Sequence, residues 1–109
     1  MIFIVVKWPI RADKADEWPE LVDEFTQAVR AEPGNIFFEW SRSLESPNEY
    51  ILVEAFQDGA GEAHVNSDHF KKAVEWMPDV VAATPGIIYN EPEGNGWGEM
   101  AEVKPRNPA

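Results

Sequence analysis

The 109-residue chain contains no cysteine, which excludes disulfide stapling, thiolate catalysis, and zinc or iron–sulfur sites built on sulfur. Positive charge is scarce as well: 9 Lys and Arg stand against 20 Asp and Glu, a formal charge of −11. Such an acidic surface repels phosphate backbones and anionic headgroups, so no nucleic-acid or membrane partner is expected. Long apolar runs are missing too. The longest, Ile2 to Val6, is far too short to span a bilayer, and no basic-then-apolar leader with a cleavage site precedes it, so a soluble, cytoplasmic protein is expected. Gly59-Ala60-Gly61 lacks the lysine of a phosphate-cradling loop, and no serine stands in a nucleophile-elbow context. Neither a nucleotide cofactor nor serine hydrolysis is supported. There is no internal repeat, and 44% apolar residues suffice for one core.

What is present alternates between two periods. Ile2 to Trp8 is β-branched and aromatic and halts at Pro9, which predicts a first strand. Across Asp13 to Ala31 the residues Trp18, Leu21, Val22, Phe25, Ala28 and Val29 share one helical stripe, with Asp16 or Asp13 as candidate start. Pro33-Gly34 stops that helix. Asn35 to Ser43 and Glu49 to Gln57 read as a hairpin across the turn Glu45 to Asn48. Asp58 can cap a short helical turn through His64, and Ser67 a second helix carrying Phe70, Val74 and Met77. Gly86 to Asn90 forms the last strand. The fold class is therefore α+β, a ferredoxin-like β-α-β-β-α-β order with an antiparallel sheet and helices on one side. Residues 1–91 form this domain. Residues 92–109, with three prolines and three glycines among eighteen residues, form an extended tail, either solvated or docked through Trp97 on a partner subunit.

Two helices cover one face of a four-stranded sheet, yet Phe3, Val5, Phe37, Ile51 and Val53 leave the other face apolar as well. Leaving each such side chain in water forfeits roughly 1.5–3 kcal/mol, against a typical total stability of about 5–15 kcal/mol. A second copy is the simplest cover, which predicts a homodimer of two half-barrels packed sheet to sheet.

Chemistry has few candidates. His64 and His69 are the only histidines; each is either structural or a substrate-facing acid or base. Their spacing of five with a cap between them is not that of a helical metal site, and no metal is expected. Glu54 interrupts an apolar strand, so it needs a partner if buried, either as a structural anchor or facing a substrate. Tyr50 is a core residue or offers its hydroxyl to a pocket. Of the five tryptophans, Trp18 belongs to the helix stripe, whereas Trp40 and Trp76 are candidate pocket walls.

Glu32-Pro33-Gly34-Asn35, then Tyr50 to Asp58, then Ala63-His64-Val65-Asn66-Ser67-Asp68-His69-Phe70 resembles the antibiotic biosynthesis monooxygenase family, which includes small quinol monooxygenases. The resemblance covers about residues 1–90. It implies a dimeric α+β barrel and cofactor-independent oxygenation of phenols, quinols or polycyclic aromatics by O2. By that resemblance His64, Asn66 and His69 match the motif near the pocket and Glu54 the acidic position on the third strand; for the chemistry it implies, His64 or His69 is expected to assist deprotonation, Asn66 to orient a substrate oxygen or peroxide, and Phe38, Trp40, Phe70 and Trp76 to form walls. A related haem-degrading branch uses an asparagine on the first strand, which has none here. A non-enzymatic barrel that binds a small hydrophobic molecule or serves a stress response is the alternative of a different class.

Overall fold

In a computed structural model, which describes residues 1–106, strand β1 (Ile2–Pro9) leads through a 3-10 turn (Ala15–Glu17) into α1 (Trp18–Leu21) and α2 (Asp23–Arg30). The hairpin β2 (Asn35–Arg42) and β3 (Glu49–Phe56) follows, then α3 (Gly61–Val65), α4 (Asp68–Trp76), a 3-10 turn (Met77–Asp79) and β4 (Gly86–Asn90). The sheet is antiparallel in the order β2-β3-β1-β4. This is the expected ferredoxin-like architecture. The last three residues of the tail lie outside the described residues.

The first helical region differs from one continuous helix. Pro19 has no N–H for the Ala15 carbonyl, which instead accepts the Tyr50 hydroxyl at 2.8 Å. A break at Val22 then separates α1 from α2. Asp16 does not cap; it pairs with Arg42 at 2.9 Å on the surface. Asp58 does not cap α3 either, because it holds the Met1 amino group at 2.8 Å. Ser67 does cap α4: its hydroxyl accepts the Phe70 N–H at 3.2 Å.

The register aligns side chains in rows. On the helix-covered face one row runs Phe38, Glu54, Ile4, Tyr89 and the next Trp40, Leu52, Val6, Ile87. At the Tyr50 end this face is packed solid around Trp18, which is 0% exposed. Trp8, Trp40 and Trp76 surround it with ring centroids 5.5, 5.6 and 5.8 Å away. At the other end helices do not reach β4, whose five residues are all exposed. On the reverse face Phe3, Val5, Phe37, Ile51 and Val53 are half-buried. The tail has no helix or strand among its described residues and touches one corner of that face: Trp97 lies over Phe37, centroids 5.4 Å apart, while remaining 72% exposed.

Candidate active site

Between the uncovered β4 end of the sheet and the helices lies a cavity of about 300 Å³. Its walls include Ile4, Val6 and Leu52 from the sheet, Phe25 from α2, and Phe70 and Ala73 from α4. Trp8 and Phe38 also contribute. Exposed Ile87, Val65 and Val74 mark its mouth. Among the described residues that line it, only two bear titratable side chains, Glu54 and His64.

Both are placed by the strand and helix patterns already described. Glu54 sits on the helix-covered face because β3 alternates Tyr50, Leu52, Glu54 and Phe56 inward. It is 6% exposed, and burial of its charged form, aided by repulsion from Glu32, pushes its pKa from the ordinary 4.5 to about 7. His64, 5% exposed on α3, is held between Phe56 and Phe70 with ring centroids 4.6 and 5.2 Å away. Its Nε2 lies 3.8 Å from Glu54 Oε1 and its Nδ1 lies 2.9 Å from Glu32 Oε2. His69 Nε2 reaches the same Glu32 oxygen at 2.6 Å. Among the described residues no Lys or Arg salt bridge reaches either carboxylate; both histidines contact Glu32, and His64 also approaches Glu54.

Glu32 is the functional-site residue that sequence reasoning left without a role, although it opens the Glu32-Pro33-Gly34-Asn35 motif. The motif now has a mechanical explanation. Gly34 packs directly against Ala60, where a Cβ would collide with the Ala60 Cβ, so only glycine lets this turn approach α3 closely enough for Glu32 to meet His64. The Asn35 amide donates to the carbonyls of Phe37 and Ala55 at 3.0 and 3.2 Å, bridging the irregularity at the start of β2. A signal was present in the sequence: an acidic residue in a Pro-Gly turn that leads straight into a strand.

The other candidates divide. Phe38 and Phe70 line the cavity with His64 and Glu54. His69 touches Glu32 but opens on a separate shallow cleft with Trp76, Glu24 and Lys72. Phe25 and Ala73 line both hollows and form the wall between them. Asn66 is exposed at the end of α3 and is not among the cavity walls. Trp40 is turned into the packed end, its indole N–H donating to Thr26 Oγ1 at 2.9 Å. Tyr50 is buried there too, with its hydroxyl satisfied by Ala15. Large aromatics fill space best where several converge, which is why these rings went to the core rather than to the cavity.

The donor set Glu32, His64 and His69 brings its ligand atoms within 4.8 Å of one another, close enough to hold a metal ion. The short contacts to Glu32 Oε2 already satisfy that carboxylate through hydrogen bonds. A buried imidazole with one nitrogen on a carboxylate and the other facing an apolar cavity can take up or release a proton there.

Residues 1–76 match the family model described as antibiotic biosynthesis monooxygenase. No curated protein matches the chain. Among solved structures, an antibiotic biosynthesis monooxygenase superposes with a TM-score of 0.77 at 17% identity, covering 86% of this chain and 100% of its own. A conserved protein from Methanosarcina mazei gives 0.78 at 22% identity, covering 84% and 92%. Rv0793 from Mycobacterium tuberculosis gives 0.76 at 17%, covering 85% and 95%. At these identities the likeness to the structures is one of fold.

Proposed function

Because the chain belongs to the antibiotic biosynthesis monooxygenase family, we propose that it oxidises an electron-rich phenol, quinol or polycyclic aromatic with O2 in the cavity under β4, without a cofactor. The observation that carries this reading is the cavity itself: apolar walls enclosing a single pair of titratable groups, Glu54 and His64. Dioxygen reacts slowly with closed-shell molecules, but a phenolate donates an electron to it directly, so the substrate supplies what a flavin otherwise would.

In this mechanism Glu32 accepts the Nδ1–H of His64 and so leaves Nε2 as the base that deprotonates the substrate hydroxyl. The phenolate passes one electron to O2, and recombination forms a carbon–oxygen bond. Glu54, whose pKa burial raises to about 7 so that a large share stays protonated near neutrality, gives the proton that the peroxide needs. The carbon then loses its hydrogen as the O–O bond breaks, leaving a carbonyl and water, with no outside reductant. Phe38 and Phe70 position the ring, and His69 supports Glu32 from the far side.

Residues 1–91 would be the unit that carries this chemistry, with residues 92–109 an appended tail. Two such units pack sheet against sheet, since Phe3, Val5, Ile51 and Val53 are only half-buried, while among the described tail residues Trp97 lies over Phe37 at one corner of that face. Sedimentation at micromolar concentration checks the dimer.

The activity is tested by oxygen uptake with hydroquinones, naphthoquinols and anthrones. Turnover by the wild type and a loss of about 10²–10⁴-fold in His64→Ala support it. Tight aromatic binding with no oxygen consumption would instead make the protein a carrier.

A further inference from the structure

An apolar groove of about 320 Å³ lies on the surface beside the cavity. Trp8, Val74, Met77 and Pro85 line both, so the two spaces lie side by side. Beyond these, the groove is formed by Pro78, Val81 and Thr84. No charged side chain lines it, in a chain of net charge −11.

The groove is also held in shape by the backbone. Ala82 N–H donates to the Pro9 carbonyl at 2.8 Å and Arg11 N–H to the Val80 carbonyl at 2.9 Å. Ile10 and Val81 form a β-bridge between them. The segment after α4 is therefore tied to the end of β1, and the trough does not need a ligand to form.

We propose that the groove is a subsite for an apolar side chain of the substrate, so that the substrate class is an electron-rich ring bearing an alkyl or isoprenoid-like chain. This rests on the reading that the cavity receives the ring. The ring lies against His64 and Glu54, and the chain leaves past Trp8 and Met77 along Val81. A free apolar chain that follows the ring meets mainly apolar walls with no charged side chain, whereas a charged substituent would be stripped of water without receiving an ionic partner. Each methylene that enters the groove removes apolar surface from water, which corresponds to about two- to fourfold tighter binding per carbon.

The test uses 2-alkyl-1,4-naphthoquinones, the oxidised forms, which bind without turnover, with methyl, butyl, hexyl and octyl chains. Calorimetry on the full-length protein is expected to give dissociation constants that fall with chain length and then level off when the groove is full. In Thr84→Trp, which fills the trough, and Val81→Glu, which charges it, the hexyl-to-methyl ratio collapses to less than about threefold. A wild-type ratio near one, or a steep ratio that survives both substitutions, overturns the proposal. Oxygen uptake with the corresponding quinols separates the two readings: a steep chain-length dependence of binding without any oxygen consumption upholds the groove and removes the monooxygenase activity.

Discussion

One face of one sheet carries two opposite solutions. At the Tyr50 end Trp18 is surrounded by Trp8, Trp40 and Trp76 and is itself 0% exposed. At the β4 end the same rows of alternating residues run out beneath no helix, and a cavity holding Glu54 and His64 results. Both ends are apolar at the same period, so patterning alone does not separate them. The difference lies in which residues the helices deliver: several flat rings converge on one point at the solid end, and single aliphatic or aromatic groups line the hollow one. Burial also acts differently on polar groups at the two ends. Tyr50 is buried and Trp40 half-buried, each with one neutral hydrogen bond, whereas Glu54 is buried beside another carboxylate and a histidine.

The contrast breaks most visibly through Trp18. Trp18→Ala removes the centre of the solid end and should cost about 3–5 kcal/mol in denaturant unfolding. Ile87→Ala, at the exposed rim of the hollow end, should cost less than about 1 kcal/mol in the same experiment. Equal losses would mean that the two ends are packed alike.

Glu54 sharpens the comparison through pH. Its pKa is raised in the folded state, so the folded protein holds this proton more tightly than the unfolded chain does. The resulting stability is fully present below about 4.5, is lost as pH rises toward about 7, and is gone above it. The whole swing is on the order of 3 kcal/mol. Glu54→Gln should flatten this part of the stability profile and be more stable than the wild type at pH 8, as read by urea midpoints across pH. A variant that keeps the wild-type slope would place the titrating group elsewhere.

A smaller effect is expected at the turn that serves the hollow end. Gly34→Ala forces the turn away from Ala60, which should cost about 1–3 kcal/mol. It should also draw Glu32 away from His64, visible as a changed His64 imidazole signal in nitrogen-15 NMR. An unchanged signal would show that Glu32 keeps its place without the close approach.

The ferredoxin-like order was legible because its strands are bounded by strong punctuation, Pro9, Pro33-Gly34, Pro47-Asn48 and Pro85-Gly86, and because Ser67 caps α4 as its position suggests. Glu54 and His64 were legible as a polar residue in an apolar strand and one of only two histidines. The caps at Asp16 and Asp58 were not, since Arg42 and the Met1 amine compete for those carboxylates. Glu32 escaped because its partners lie 32 and 37 residues away, a pairing that no local spacing encodes. Trp40, Trp76 and Tyr50 were assigned to the cavity on chemistry that suits a wall and a core equally; only the convergence on Trp18, set by tertiary packing, decides between them.

The central claim, that ligands enter the hollow end and leave Trp18 and Trp40 untouched, is tested most directly by NMR during titration with a naphthoquinone. The methyl signals of Ile4, Ile87 and Val74 should shift while the indole N–H signals of Trp18 and Trp40 stay in place. Shifts of those two indoles with silent methyls at the β4 end would contradict the account.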